Sequence, residues 1–229
     1  MSHELLIRPI ARIRTDFPTK FGIPRQSLLS EDLTGTVVFE PDFRREEALR
    51  GLEGFSHLWL IWQCSENVRD DWAPTVRPPR LGGNQRLGVF ATRSPFRPNS
   101  IGLSCVKLLG LRNDSTLGTV IDVGGADLMD GTPIYDIKPY APYADSHPEA
   151  LGGFASTRPD VIPVEDPDGL LEKLPAEKRA AARGVLAHDP RPRYQDDGER
   201  EYGMDFAGYN LRFRVTDGVM TVTAVERET

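Results

Sequence analysis

One arginine-rich loop has the residue types that most clearly suggest chemistry. The stretch GVFATRSPFRPNSIGLS, residues 88–104, contains Arg93, Pro95, Arg97 and Pro98 and no acidic residue. Proline fixes φ and extends the residue before it, so the loop is stiff before any ligand binds. A guanidinium can make two parallel hydrogen bonds to a carboxylate or a phosphate. The loop therefore predicts a binding site for an anionic group, and a stiff turn whose arginines only face solvent is the alternative.

Positive charge extends well beyond this loop. The chain has a net charge of −6, yet residues 74–112 hold seven basic residues and no acidic one. Such a segment suggests an anionic partner at one face, whereas a solvated surface balanced by carboxylates from elsewhere is the alternative. The candidate phosphate contacts are Arg77, Arg80, Arg86 and Arg97. If these only face solvent, the anionic partner must be held by the C-terminal arginines Arg191, Arg193, Arg212 and Arg214.

Three other segments combine glycine, proline and charged residues in a similar way. They are KFGIPRQ at 20–26, DLMDGTPIYDIKPY at 127–140 and PRPRY at 190–194. Clusters of this composition usually form turns, so each segment alone is a weak signal. Together with the loop at 88–104 they suggest one composite site.

Short strands are the elements that must position these loops. Through the first 140 residues, apolar runs rich in β-branched and aromatic residues alternate with glycine, proline, asparagine and aspartate. This pattern predicts a mainly-β fold whose single sheet closes into a barrel. The run REEALRGLEGF, residues 45–55, predicts one helix that ends at Gly51 or Gly54.

The composition changes after residue 140. Residues 147–169 are rich in proline, glycine and aspartate and predict a linker between a barrel domain at 1–146 and a small α+β domain at 170–229. In the second domain we expect a helix that is broken or begins again at Pro175. A hairpin should follow, with Asp217-Gly218 at its turn.

The cysteines, the histidines and the start of the chain bear on its environment. No apolar run reaches about 18 residues, and the first residues lack the apolar core of a secretory signal. Cys64 and Cys105 have no CxxC spacing, and the four histidines have no metal-binding spacing. We therefore expect a cytoplasmic protein with reduced cysteines, without a metal and without a membrane contact.

Six segments together resemble the TsaA-like family, whose characterised members include tRNA (adenine-N6)-methyltransferases. They are KFGIPRQ, LEGFSHLWLIWQ, TVRPPRLGG, GVFATRSPFRPNSIGLS, DLMDGTPIYDIKPYAPYADS and DPRPRY. The resemblance implies an enzyme that uses S-adenosylmethionine to methylate N6 of threonylcarbamoyladenosine next to the anticodon of tRNA. It also implies a single-sheeted β-barrel that works as a homodimer. The chain has no GxGxxG motif after a strand and no βαβ alternation, which agrees with a fold unlike the Rossmann methyltransferases.

The resemblance also implies a set of site residues. The positions that match the family's cofactor contacts are Pro24, Arg25, Gln26, Cys64, Ser65, Arg93, Leu103, Asp130, Gly131, Thr132 and Pro133. An arginine suits the cofactor's carboxylate, Asp130 its ammonium or hydroxyl groups, and Leu103 and Pro133 the faces of its adenine. For the tRNA we expect contacts from Arg77, Arg80, Arg86, Arg97, Lys138, Arg191, Arg193 and Tyr194. The sequence departs from the family pattern at Ser100, where proline is usual, and at Arg193, where alanine is common.

Methyl transfer to a carbamoylated N6 needs a proton acceptor, because the nitrogen shares its lone pair with a carbonyl group and the purine ring. The candidates are His57, Asp127 and Asp136, of which we take Asp136 and His57 as the catalytic residues. His57 lies in an apolar run and can equally be a core histidine. Asp136 can equally be a structural partner of Lys138.

Two other functions remain open at the level of sequence. One is a non-catalytic regulator that binds S-adenosylmethionine or RNA with the same barrel. The other is a methyltransferase for a different substrate. The segments DPRPRY and RFRV in the C-terminal part favour the two-domain tRNA enzyme.

Overall fold

The structure is a computed structural model and describes residues 5–67, 71–191 and 198–228. Within these residues strands dominate, which confirms the prediction of a mainly-β fold. The strands are β1 (Ala11–Arg14), β2 (Thr34–Phe39), β3 (His57–Gln63), β4 (Thr75–Val76), β5 (Leu87–Gly88), β6 (Ile101–Asp114), β7 (Gly118–Gly124), β8 (Pro133–Pro139), β9 (Val164–Glu165), β10 (Tyr202–Phe206), β11 (Tyr209–Thr216) and β12 (Val219–Arg227). The α-helices are α1 (Pro142–Asp145) and α2 (Ala176–Ala187).

Six strands of the first half close into a barrel in the order β1, β2, β7, β6, β3, β8. All neighbouring strands are antiparallel, and the pairing of Ala11 on β1 with Ile134 on β8 completes the ring. Ile13 on β1 and Leu58 and Leu60 on β3 are fully buried inside the barrel. Their neighbours along each strand are more exposed, as Arg12, Arg14 and Trp59 show. This alternation has the period of two that a sheet with one buried face requires.

A second sheet lies in the C-terminal part, in the order β10, β11, β12, β9. Asp217 and Gly218 join β11 to β12, both with positive φ, so the predicted turn is confirmed. The sequence predicted one hairpin where the structure has three consecutive antiparallel strands. Ala207 and Gly208, which also have positive φ, form the additional turn between β10 and β11.

The loop between β1 and β2 packs against this C-terminal sheet. Phe17 is almost fully buried and meets Phe206 edge to face, with 5.3 Å between the ring centroids. The ring of Phe21 stacks on Phe213. Gly22 has a φ of 98°, and a Cβ there would lie 2.2 Å from the sulfur of Met204, so only glycine fits. The C-terminal core therefore fixes one of the loops that the sequence assigned to the site.

The helices are shorter than the sequence predicted. Residues 45–55 form two short 3₁₀ helices, Glu46–Leu49 and Leu52–Gly54, and not one helix, because Gly51 adopts a left-handed φ of 88° between them. In the C-terminal part a 3₁₀ turn ends before Pro175 and α2 begins after it, so the helix is interrupted where predicted. In the described part of the chain, no helix has both the length and the apolar character that a membrane crossing requires.

The segment at 147–169 is more ordered than its composition suggests. Val164–Glu165 forms β9 and pairs in parallel with β12. The amide of Met220 donates to the carbonyl of Pro163 at 2.9 Å, and Ile162 and Val164 pack against the C-terminal core. The end of the predicted linker is thus part of the second sheet, since its apolar side chains alternate as those of a strand do.

Candidate functional site

A cleft of about 470 Å³ opens at one end of the barrel. Its walls are the loop at 20–26, the end of β3, the arginine-rich loop, the start of β6 and the segment after β7. Antiparallel pairing places the end of β3 beside the start of β6, which is why these loops meet. The volume lies within the range of small-molecule sites, roughly 300–1,000 Å³.

Most of the residues that the sequence assigned to the cofactor meet in this cleft. Those that line it are Pro24, Arg25, Gln26, Cys64, Ser65, Arg93, Leu103 and Thr132. They come from four separate segments of the chain. Three of the four loops that the sequence grouped into one composite site, those at 20–26, 88–104 and 127–140, meet in this cavity. Of the fourth loop, at 190–194, the first two residues do not line the cavity and the other three lie outside the described residues. The roles of the residues that line the cleft toward a cofactor stay predictions.

The placement of Asp130, Gly131 and Pro133 differs from the prediction, since none of the three lines the cleft. Asp130 points to another side of the barrel, where its Oδ1 accepts a hydrogen bond from the Thr15 amide at 2.9 Å. Pro133 is buried at the start of β8, opposite Arg12. Of the turn at 130–133, only Thr132 therefore lines the cleft.

Arg97 closes the arginine-rich loop on itself. Its Nη1 donates to the carbonyls of Thr92 and Ser94 at 3.1 and 3.2 Å. The hydroxyl of Ser100, the position where the sequence departs from the pattern of the family that it resembles, donates to the carbonyl of Pro95 at 3.3 Å. A side-chain hydrogen bond therefore restrains the loop at the position where proline is usual.

Arg93 joins the arginine-rich loop to the loop at 20–26. Its guanidinium donates to Oε1 of Gln26, whose amide group in turn donates to the carbonyl of Arg25. These contacts hold three of the predicted cofactor residues together at the mouth of the cleft. Arg93 is exposed, so its charge is accessible from the solvent side of the cleft.

Asp127 is the carboxylate of the cleft wall with the most perturbed environment. Burial raises the pKa of Asp127, while a hydrogen bond from Ser104 and the charge of Arg93 act in the opposite direction. The Ser104 hydroxyl donates to Asp127 Oδ1 at 2.6 Å, and the Trp62 indole N–H donates to the same hydroxyl at 3.0 Å. These hydrogen bonds fix the carboxylate in one orientation at the edge of the cavity.

The sequence missed Trp62 and Ser104 as site residues. Ser104 is 1% exposed, and a hydroxyl at a buried position of an apolar strand was the available signal. A Cβ at Gly102 would lie 2.2 Å from the ring of Trp62, so this glycine lets the indole lie flat against β6. The glycine within a strand was the second signal.

His57 and Asp136, the residues taken as catalytic, do not line the cleft. His57 begins β3, whereas the cleft lies at the end of that strand, about 20 Å away at roughly 3.3 Å per residue. Its Nδ1 lies 2.9 Å from the Ser56 hydroxyl. Asp136 binds Lys138 at 2.9 Å on β8, which is the structural role left open above and also engages a predicted tRNA contact. Asp127 is the one of the three candidates at the cleft.

The predicted tRNA contacts fall into separate groups. Arg97 lines the cleft, whereas Arg77, Arg80 and Arg86 lie on its flank around β4 and β5. Arg80 donates to the Thr157 hydroxyl at 2.8 Å, and Arg86 to the Thr75 hydroxyl at 3.3 Å. Arg191 pairs with Asp189 at 2.8 Å. Arg193 and Tyr194 lie outside the described residues.

Two family models match the chain. Residues 12–146 match the tRNA-methyltransferase O N-terminal domain, and residues 170–228 match the TrmO C-terminal domain. Together they include most of the residues that form the barrel, the cleft and the second sheet.

Individual relatives agree with these matches. A tRNA (adenine(37)-N6)-methyltransferase of Escherichia coli is 42% identical over 228 residues, which are 95% of this chain and 96% of that protein. An enzyme of the same name from Eikenella corrodens is 44% identical over 172 residues, 75% of this chain and 97% of that protein. A Pseudomonas aeruginosa protein, provisionally named an S-adenosylmethionine-dependent methyltransferase, is 42% identical and covers 89% of each chain. The crystal structure of TrmO from Pseudomonas aeruginosa superposes with a TM-score of 0.80 at 35% identity, covering 99% of this chain and 98% of that one.

Proposed function

The chain belongs to the tRNA-methyltransferase O family, and from this premise we propose that it methylates N6 of adenosine 37 in tRNA. The relatives from Escherichia coli and Eikenella corrodens are named for this reaction and cover the chain to 95% and 75%. We further propose that the substrate adenosine carries a threonylcarbamoyl group. Its carbamoylated N6 is a poor nucleophile, so the reaction needs a base in the cleft that can accept the N6 proton.

S-adenosylmethionine is the methyl donor that we propose for the cleft. The volume of the cleft, about 470 Å³, suits a ligand of the size of this donor. Arg93 offers a guanidinium for the donor's carboxylate, and Leu103 and Trp62 offer apolar surface for its adenine. When bound, the donor supplies an electrophilic methyl group on a sulfonium. The proposed fit of the donor rests on both features, a charged group for its carboxylate and apolar surface for its adenine.

Asp127 is our proposed proton acceptor. A carboxylate whose pKa is raised by burial is a stronger base near neutral pH than an exposed one. Ser104 donates to Oδ1 and holds the carboxylate at the cleft edge. There it would accept the N6 proton as the bond from N6 to the methyl group forms and the bond from the methyl group to the sulfonium sulfur breaks, which leaves a thioether. Trp62 orients Ser104 in turn, so we propose that these two side chains position the base.

A homodimer is part of the proposal. On the outer face of β6, Ile101, Leu103 and Leu109 are 42%, 51% and 50% exposed, which is unusual for three apolar residues of one strand. A second copy of the chain over this row would cover it and deepen the cleft, because Ile101 and Leu103 also line the cavity. Light scattering should give the mass of a dimer at micromolar concentration. A monomer with full activity would contradict this part.

We also propose a domain organisation and a location in the cell. We propose that residues 1–146 and 170–229 are the two domains, that β9 belongs with the second of them, and that the part of the segment 147–169 before β9 is the connection. Since its proposed substrate is tRNA, we propose that the protein acts in the cytoplasm.

The observation that carries the proposed function is the convergence of four separated segments on one cleft beside the half-buried Asp127. The test is methyl transfer from labelled S-adenosylmethionine to unmethylated tRNA, followed by nucleoside analysis. We expect N6-methylated threonylcarbamoyladenosine in the wild-type reaction. A protein that binds the donor without transferring its methyl group would be the regulator that the sequence left open, and methylation of another molecule would be the third function.

Two matched variants assign the base. Asp127→Asn should lower the rate of methyl transfer by about 10²- to 10⁴-fold, as the loss of a general base does, while donor affinity is retained. Asp136→Asn makes the same change at a carboxylate that does not line the cleft and should leave the rate near that of the wild type. The reverse result would exclude Asp127 as the proton acceptor.

A further inference from the structure

Two exposed aromatic rings lie beside the cleft and belong to neither hydrophobic core. Trp72 is 47% exposed and Phe90 is 71% exposed. Their ring centroids are 5.9 Å apart with an angle of 25° between the planes, so they form one nearly continuous aromatic surface. Paired aromatic rings left in water are costly, and such patches mark binding surfaces.

The backbone around the two rings is well held. Thr75 on β4 pairs with Gly88 on β5, and the amide of Val89 donates to the carbonyl of Pro74 at 3.0 Å. Val89, next to Phe90, is fully buried and anchors the short 3₁₀ helix that carries the exposed ring. The rings are therefore presented on a rigid support, which lowers the entropy cost of binding to them.

Arg97 connects this aromatic surface to the cleft. Its guanidinium carbon lies 6.0 Å from the centroid of the Phe90 ring, and the same residue lines the cavity. Arg77 and Arg86, on β4 and β5 or next to them, are exposed, and within the described residues neither forms an ion pair. An aromatic surface bordered by unpaired arginines is what single-stranded nucleic acid binds, through base stacking and phosphate contacts.

We propose that Trp72 and Phe90 form a stacking platform for one unpaired base of the anticodon loop that neighbours the target adenosine. This inference rests on the proposed function. For N6 to reach the cleft, the target base must leave its place in the loop, and a neighbouring base then loses a stacking partner. The rings of Trp72 and Phe90 replace that stacking partner close to the cleft, since Arg97 lies next to the Phe90 ring and also lines the cavity. Trp72 and Phe90 thereby position the substrate and take no part in the chemistry.

Leucine substitutions test the platform, because they keep apolar bulk and remove the aromatic face. Trp72→Leu and Phe90→Leu should each weaken the binding of an anticodon stem-loop RNA by about 5- to 150-fold, the range for one stacked base. The KM for tRNA should rise with kcat retained, and the affinity for S-adenosylmethionine should not change. Phe90→Tyr should bind RNA as the wild type does.

A matched control makes the same change elsewhere. Phe55 is 41% exposed and lies just before β3, at the opposite end of the barrel from the cleft. Phe55→Leu should therefore leave RNA affinity unchanged. If it weakens binding as much as Phe90→Leu does, the effect is not specific to the platform and the proposal fails.

RNA with single abasic sites separates stacking from phosphate contacts, since an abasic nucleotide keeps its phosphate. At one loop position the wild-type protein should lose affinity by the same factor as Phe90→Leu does, and Phe90→Leu should lose nothing further there. If no position shows this non-additivity, the platform is excluded.

If the leucine variants change only the mass in light scattering, the rings contact a second copy of the chain and the proposal is overturned. Absence of methyl transfer by the wild-type protein would refute the proposed function, whereas an unchanged kcat/KM for tRNA in both leucine variants would refute the platform alone.

Discussion

Arginines near the cleft and arginines of the C-terminal sheet have different partners. On the C-terminal sheet, Arg212 lies between Glu201 and Glu226, and Arg214 also pairs with Glu201. Near the cleft, Arg80, Arg86, Arg93 and Arg97 donate to neutral groups, and within the described residues neither these four nor Arg77 forms an ion pair. Charge is compensated in one region and left available in the other.

This difference shows how a chain of net charge −6 can offer a positive surface. The count of seven basic residues at 74–112 is too high as a measure of that surface, because Arg112 pairs with Asp114 and Asp122. The C-terminal alternative for binding an anionic partner is also weakened, since Arg191, Arg212 and Arg214 are each paired with a carboxylate. Position within the fold decides which arginines can meet phosphate.

The largest effect should come from the core of the C-terminal sheet. Phe213 is fully buried between Phe21 and Tyr202, with centroid distances of 6.5 and 5.8 Å. Phe213→Ala should lower the free energy of unfolding by about 3–5 kcal/mol, as the loss of a large buried ring does. Urea unfolding without ligand measures it. Arg93→Ala, on the exposed rim of the cleft, should change stability by less than about 0.5 kcal/mol. Equal losses in the two variants would erase the distinction between a packing region and a binding region.

Donor affinity should show the next largest effect. Arg93→Ala removes a charge-assisted contact worth roughly 1.5–3 kcal/mol, so affinity for S-adenosylmethionine should fall by about one to two orders of magnitude. Arg214→Ala removes a guanidinium from the C-terminal sheet and should leave that affinity unchanged. Calorimetry on folded protein measures both. Wild-type affinity in the Arg93 variant would remove this residue from the donor site.

Asp127 at the cleft and Asp122 on β7 should affect the pH dependence of stability in opposite directions. Because burial raises the pKa of Asp127 in the folded state, the unfolded chain releases this proton first as the pH rises above about 3.9. The contribution of Asp127 to stability therefore declines across the interval between its two pKa values, and above that interval Asp127→Asn should be more stable than the wild type. A tenfold difference in the acid dissociation constant corresponds to about 1.4 kcal/mol.

Asp122 is the matched control with the opposite sign. A hydrogen bond from Arg112 lowers the pKa of Asp122, so its contribution to stability is present above the unfolded pKa and is lost as the pH falls through the folded one. Asp122→Asn should thus be less stable than the wild type at neutral pH and equal to it in acid. Thermal unfolding of the three proteins between about pH 3 and 7 measures this. A shift of the same sign in both variants would contradict the assignment of Asp127 as a desolvated group.

Local patterns allowed the sequence to predict the strands, the Asp217-Gly218 turn and the loops that form the cleft. Glycine, proline and strand alternation are properties of neighbouring residues, and they survive any global arrangement. Which end of a strand faces the cleft is not a local property. His57 and the cleft are therefore separated by the length of β3, although both belong to one motif of the sequence.

Contacts across strands account for the rest of what the sequence could not predict. The hydrogen bond between Trp62 and Ser104 joins residues 42 positions apart and depends on the register of β3 against β6. The pairing of Arg212 with Glu226 likewise depends on the register of β11 against β12. Register is set by the whole sheet, so a count of charges along the chain cannot show which of them are neutralised.

The smallest effect concerns the salt dependence of tRNA binding and tests the comparison directly. Each neutralised phosphate releases condensed counterions, so the logarithm of affinity falls with the logarithm of salt concentration by roughly 0.7 per phosphate of a single strand. Arg77→Ala and Arg86→Ala should each weaken tRNA binding and flatten this slope by about that amount, with donor affinity unchanged. Arg212→Ala should leave the slope as it is, because this arginine is already compensated by Glu201 and Glu226. If Arg212→Ala flattens the slope and the two flank variants do not, the tRNA is held by the C-terminal sheet, and the free arginines beside the cleft only face solvent.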